Sequence, residues 1–176
     1  REAIRRILME RIYWDEVKVE HGTILIAWTN SGLCYVGSFI ETLEHFHKWQ
    51  KKYIPGVEVV RNKGKSECCN QILQYLNGER SQFTLPLDLK GTVFQISVWQ
   101  QLLNIPFGET VAYSYIAEKI NNPKAVRAVG RAIGQNPLTI VIPCHRVIGK
   151  NGNLTGFRGG LEMKKVLLSL EMSFDL

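Results

Sequence analysis

A chain of 176 residues with 45% hydrophobic content can bury the core of one medium domain or two small ones. No stretch approaches the roughly 20 apolar residues of a membrane span, and the formal net charge of +6 is less informative as a total than in its distribution along the chain. Cys34, Cys68, Cys69 and Cys144 show no Cys-x-x-Cys spacing, and His45 and His47 lack cysteine companions. Neither a disulfide framework nor a zinc site is expected, and reduced thiols point to the cytoplasm.

The basic start at Arg1, Arg5 and Arg6 is not followed by an apolar signal core, which argues against export. The chain opens on Arg1 rather than an initiator methionine, as either a trimmed chain or part of a longer fusion would. Ile12 to Val19 and Thr23 to Thr29 are rich in β-branched and aromatic residues around His21-Gly22, the pattern of a hairpin, and Leu33 to Val36 can add a third strand. Phe39 to Tyr53 carries Phe39, Leu43 and Phe46 between charges and stops before Ile54-Pro55-Gly56, which predicts a helix. Glu67 to Leu76, stopped by Asn77-Gly78, predicts a second, and Phe83 to Leu89 alternates like a strand returning to the sheet. Nothing in this half suggests catalysis.

After Lys90-Gly91 strands give way to short helices, so the domain boundary is placed near residue 90, with residues 1–90 as an α/β unit and 91–176 as a mostly helical one. Thr92 is a good N-cap for a helix carrying Phe94, Val98, Trp99 and Leu102. Tyr113 to Ile120 and Pro123 to Ile133, joined by Asn121-Asn122, have the pattern of a helix-turn-helix with proline at the first position of the second helix. At about 100° per residue, Val126, Val129 and Ile133 share a core face. Lys124, Arg127 and Arg131 lie roughly opposite, beside a small-residue stripe of Ala125, Ala128 and Ala132. Such a face suits close approach to sugar and phosphate in a narrow groove, with an arginine free to enter the base stack, although on this segment alone packing of the alanines against another helix is the more ordinary use. From Lys119 to Arg158 the chain holds seven basic residues and no acidic one, either a polyanion-binding stretch or a solvated basic face.

The apolar run Thr139-Ile140-Val141-Ile142, read as a strand, delivers Pro143-Cys144-His145-Arg146-Val147. A cysteine is nucleophilic as its thiolate, and an adjacent imidazole and guanidinium both favour that anion, so Cys144 is expected to be reactive near neutral pH. Asn136, at the turn after Gly134, can brace backbone or simply serve the turn. Residues 156–160 read as a flexible loop before a final helix from Leu161 to Leu170. Glu171 closes that helix, where the dipole disfavours an acid, so it is either a surface carboxylate or the partner of a cation such as His145.

Pro143-Cys144-His145-Arg146-Val147, with Asn136-Pro137, the run from Asn122 to Gly130, Gly91-Thr92-Val93-Phe94-Gln95 and Phe107-Gly108-Glu109-Thr110, resembles the O6-alkylguanine-DNA alkyltransferase family, from about Gly91 to Glu171. The resemblance implies an α/β (α+β) fold, with a small sheet-and-helix domain followed by a mostly helical domain containing a helix-turn-helix. It implies a monomer that acts on double-stranded DNA containing O6-alkylguanine, without cofactor or metal. Cys144 would take the alkyl group as a thioether and be consumed in one turnover. His145 would withdraw the thiol proton through a water, oriented by Glu171, while Asn136 shapes the turn and Tyr113 supplies a proton toward the departing guanine. Arg127 would fill the gap left by the rotated nucleotide, with Lys124, Ala125, Ala128 and Arg131 on the minor-groove surface. The Val147 carbonyl, Phe157 and the backbone near Arg158 would hold the extruded base. Phe157 stands where tyrosine is common and Arg158 where some members have serine, which bears on alkyl-group preference.

Two other classes compete. A hydrolase built on Cys144 and His145 would need an oxyanion site that the sequence does not reveal, and a DNA-binding regulator leaves Cys144 without a role. No Gly-x-Gly-x-x-Gly motif follows a strand, so a methyl donor other than DNA is not indicated.

Overall fold

The computed structural model describes residues 10–173, and the basic start at Arg1, Arg5 and Arg6 lies outside them. The first half is a four-stranded sheet of β1 (Arg11–Val19), β2 (Gly22–Thr29), β3 (Gly32–Val36) and β4 (Glu58–Arg61), with α1 (Leu43–Tyr53) and α2 (Glu67–Leu76). Its strand order is β3-β2-β1-β4. The hairpin closes as expected, with Val17 opposite Ile24 and Val19 opposite Gly22. Strand β4, which alternation did not reveal, lies parallel to β1.

Ile24, Leu25, Ile26 and Ala27 are all buried, so β2 is covered on both faces. Alternation sends Leu25 and Ala27, with Ile12, Cys34 and Tyr35, against Phe46 of α1. Ile24 and Ile26, with Val17, Leu33 and Val36, face Ile72 and Tyr75 of α2 and the core of the second half. Burying each such side chain contributes roughly 1.5–3 kcal/mol, so this second face is the platform that fixes the rest of the molecule.

Helix α1 begins at Leu43 rather than Phe39, because Thr42 takes the N-cap and donates its N–H to His45 Nδ1 at 3.1 Å. The expected strand over 83–89 shrinks to one parallel bridge between Leu33 and Leu87. Pro86 accepts from Leu33 N at 2.8 Å but has no N–H to extend the ladder.

The second half comprises α3 (Val93–Leu102), β5 (Val111–Ala112), α4 (Tyr113–Lys119), α5 (Val126–Gly134), β6 (Val147–Ile148) and α6 (Leu161–Met172). Thr92 and Gln95 form a capping box on α3, Thr92 Oγ1 accepting at 3.1 Å and Gln95 Oε1 at 2.9 Å. Trp99 Nε1 donates to the Ala132 carbonyl at 2.8 Å, fastening α3 to α5. The turn between α4 and α5 passes through Asn121 at φ 57°. Pro123 and Lys124 lie in that turn, and α5 starts only at Val126, because Ala125 N is taken by the Asn122 carbonyl. Val129 and Ile133 are core as expected, but Val126 is 36% exposed and Ala132 is buried in its place. The late helix start explains the exchange, since the first turn projects past the core. Among the described residues, no helix is long and apolar enough to cross a membrane.

Candidate active site

Asn136 leaves α5 and builds the acceptor turn with its own side chain. Its Oδ1 accepts from Leu138 N at 2.9 Å, and its Nδ2 donates to the Ile142 carbonyl at 2.9 Å and to Cys144 Sγ at 3.2 Å. These bonds replace a sheet ladder. Residues 139–142, expected as a strand, are instead coiled turns in which Ile140 adopts φ 75° and Ile142 N donates to the Leu138 carbonyl at 2.9 Å. Pro137 accepts from Val36 N at 2.8 Å, tying the turn to the edge of the first-half sheet.

Cys144 opens a single 3-10 turn, Cys144–Arg146, and is 4% exposed. His145, fully buried in the same turn, places Nε2 2.7 Å from Glu171 Oε1. Glu171 sits within the last turn of α6, where it is buried, and it accepts further from Tyr75 at 2.5 Å, Gly108 N at 3.1 Å and Arg146 Nε at 2.9 Å and Nη2 at 2.8 Å. Burial opposes ionisation of Glu171, but the hydrogen bonds from His145, Arg146 and Tyr75 outweigh it and hold the carboxyl well below the usual range. A carboxylate only accepts, so Nε2 of His145 carries the proton. Nδ1, which has no protein partner, therefore presents a lone pair. Burial lowers the His145 pKa against the pull of Glu171, and the ring rests neutral.

Burial pushes the Cys144 thiol up, against the Asn136 hydrogen bond and the charges of Arg158 and Lys164. This corrects the expectation of a thiol kept reactive by its sequence neighbours. The Arg146 guanidinium is committed to Glu171 and to the Ile105 carbonyl at 2.6 Å. Cys144 thus rests as a neutral thiol and needs a base at the moment of reaction, and His145 Nδ1 is in the correct form to be one.

The remaining expected residues lie on neighbouring elements: Arg158 bonds to the Asn136 turn, while those of α5 line a groove of their own. Val147 pairs with Val111, and its carbonyl accepts from Lys164 Nζ at 2.6 Å. Tyr113 heads α4, its ring against Gly130 of α5 and its hydroxyl accepting from Thr155 Oγ1 at 3.3 Å. Arg127, Ala128 and Arg131 are exposed and, with Thr92, Phe94 and Gln95, line a groove of about 490 Å³. Lys124 is exposed in the preceding turn and Ala125 is half-buried. Phe157 is half-buried against Gly159. The Arg158 side chain turns toward the first half, donating to Glu41, Thr139 and the carbonyls of Val36 and Asn136.

Sequence reasoning missed two groups. Tyr75, on the apolar stripe of α2, brings the first half to Glu171, although that half carried no catalytic signature. Lys164, buried in α6, donates to the Val147 and Thr155 carbonyls, an unusual position for lysine. Spacing shows a stripe and an amphipathic helix at these positions and gives no sign of either hydroxyl or ammonium contact.

Comparison with known proteins finds relatives over both halves of the chain. Residues 12–89 match the family model of the 6-O-methylguanine DNA methyltransferase ribonuclease-like domain, and residues 93–173 match that of its DNA binding domain. The inducible methylated-DNA–protein-cysteine methyltransferase of Bacillus subtilis is 50% identical over 161 residues, covering 91% of this chain and 90% of its own. The methylated-DNA–protein-cysteine methyltransferase of Methanosarcina acetivorans is 46% identical over 153 residues, covering 86% and 93%. The crystal structure of Mycobacterium tuberculosis O6-methylguanine methyltransferase superposes with a TM-score of 0.81 at 38% identity, over 94% of this chain and 95% of that one. A structure of the same protein in complex with DNA gives 0.78 at 39% identity, over 92% and 94%. With both halves matched in order and the cysteine turn in place, the chain belongs to the 6-O-methylguanine DNA methyltransferase family.

Proposed function

We infer that the protein repairs DNA by direct reversal, moving the alkyl group of O6-alkylguanine in double-stranded DNA irreversibly to Cys144. The observation that carries this reading is the buried Cys144 in one turn with a neutral His145 whose Nε2–H is spent on Glu171. The thiol proton passes to His145 Nδ1 through a water, Sγ attacks the alkyl carbon, and the bond from that carbon to guanine O6 breaks in line. Tyr113 donates toward the guanine ring, so the base departs neutral. The S–C bond formed is a thioether with no easy hydrolytic exit, so each chain acts once.

A base stacked in a duplex cannot reach a buried thiol, which requires the nucleotide to rotate out. The exposed Arg127, beside Ala128 and Arg131 on α5, supports a role in filling the gap while Lys124 and Ala125 border the minor groove. The extruded guanine would be held by the second lone pair of the Val147 carbonyl, the Phe157 ring and the backbone at Arg158. Division near residue 90 into a structural unit and a DNA-binding, alkyl-accepting unit is supported by the two family models that meet there. Action as a monomer without cofactor or metal completes the reading, and residence in the cytoplasm is supported by cysteines that are all unpaired. Duplex DNA carrying O6-methylguanine labelled in its methyl group provides the test. Covalent label on the protein is expected. Label left on DNA would indicate a DNA-binding regulator, and repeated release of small products a hydrolase.

A further inference from the structure

The Arg158 side chain takes no part in the transfer chemistry, yet its guanidinium joins segments far apart in sequence. Nη1 donates to the Asn136 carbonyl at 2.7 Å. Nη2 donates to the Val36 carbonyl at 2.8 Å, Thr139 Oγ1 at 2.9 Å and Glu41 Oε2 at 3.1 Å. Its plane lies 5.3 Å over the Tyr35 ring, and the Tyr35 hydroxyl donates to the other oxygen of Glu41 at 3.2 Å. Nε is buried without a partner, so the Nη contacts alone set the orientation. A second contact holds the same loop, since a Cβ on Gly159 would lie 2.9 Å from Ser38 Cβ and 2.7 Å from Met163 Sδ.

We propose that Arg158 is a positioning residue that, anchored by Glu41, locks the base-facing loop and the Asn136 turn onto the first half of the chain. This rests on the reading of Cys144 as alkyl acceptor. Asn136 transmits the lock, because its carbonyl receives Arg158 while its Nδ2 reaches Cys144 Sγ. The side chains of Arg158 and Glu41 are only 20% and 12% exposed, so solvent screens the pair weakly. Arg158 also adds positive charge near the thiol, together with Lys164 of α6, while His145 and Arg146 of the same turn are engaged with Glu171. The two partners therefore act with opposite electrostatic sign. Removing Arg158 loses the tether and a cation, whereas removing the charge of Glu41 loosens the tether and leaves the cation unneutralised.

The test measures single-turnover transfer at saturating DNA, and separately the pH midpoint for iodoacetamide modification of Cys144, in Arg158→Gln, Arg158→Lys and Glu41→Gln. Transfer is expected to slow by between about tenfold and a hundredfold in Arg158→Gln and less in Glu41→Gln, since small misplacements of reacting groups cost that much. The thiol midpoint should move to higher pH in Arg158→Gln and to lower pH in Glu41→Gln, opposite shifts that loosened packing alone does not produce. Arg158→Lys keeps the charge but cannot span the same acceptors, so it should hold the midpoint near wild type without restoring the rate. Wild-type transfer in Arg158→Gln or Arg158→Lys, or midpoints moving together, would overturn the proposal. Failure of the wild-type protein to accept label from DNA would instead overturn the transfer reading, while the thiol midpoints would still report on the lock.

Discussion

Glu171→Gln removes the carboxylate charge that Arg146 and His145 share while keeping shape. Relief of the desolvated carboxylate favours the variant, but the guanidinium of Arg146 stays buried with its charge uncompensated, and the NH2 of the new amide meets donors in either setting, His145 and Tyr75 at one oxygen position or Gly108 N and Arg146 Nε at the other. Breaking one side of a buried pair costs about 3–5 kcal/mol. At ~2–4 °C per kcal/mol for a chain of this size, Tm should fall by roughly 6–20 °C. Transfer should also fall by at least about a hundredfold, the lower range of what a positioned base contributes. Thermal and urea unfolding followed by circular dichroism measure the first quantity and single-turnover transfer the second. Adding Arg146→Met should recover part of the stability, because the orphaned charge is then gone. A loss below about 1 kcal/mol, the worth of a surface ion pair, would refute the reasoning.

Tyr75→Phe keeps the ring against Phe83 and Phe107 and removes only the donor to Glu171, so a loss of about 1.5–3 kcal/mol is expected in urea unfolding. An unchanged midpoint would contradict the geometry. Stability should depend on pH at both ends. His145 is depressed in the fold, so below about 6.5 the unfolded chain binds the extra proton and stability declines as pH falls; Glu171, also depressed, extends the decline below about 4.3. Cys144 is raised, so its contribution is present below about 8.5 and is lost as pH climbs toward the folded value. Denaturation midpoints across pH should show a plateau between these limits, and stability that increased with acidity would contradict it. Arg127→Ala should slow repair of duplex DNA while sparing reaction with free alkylguanine, and equal effects on both substrates would remove Arg127 from the extrusion step.

The hairpin, α2 and the N-cap of α3 were legible because alternation, stop signals and Thr92 each act locally. The strand over 58–61 and the coiled turn over 139–142 were not, since one depends on pairing with distant β1 and the other on the side chain of Asn136. Cys144, His145 and Asn136 stood out through motif and turn chemistry. The source of their electrostatics did not, because Arg146, adjacent in sequence, points to Glu171, while Arg158 and Lys164 approach the thiol from later segments. Tyr75 and Glu41 reach the site only through the docking of the two halves, a contact that no local pattern encodes.

The most direct test of transfer to Cys144 is mass spectrometry of the protein after incubation with excess duplex DNA containing O6-methylguanine. One methyl group per chain, on the peptide holding Cys144, with none on Cys144→Ala protein that still binds the duplex, is the expected result. Methylation elsewhere, or continued turnover beyond one equivalent, would contradict it.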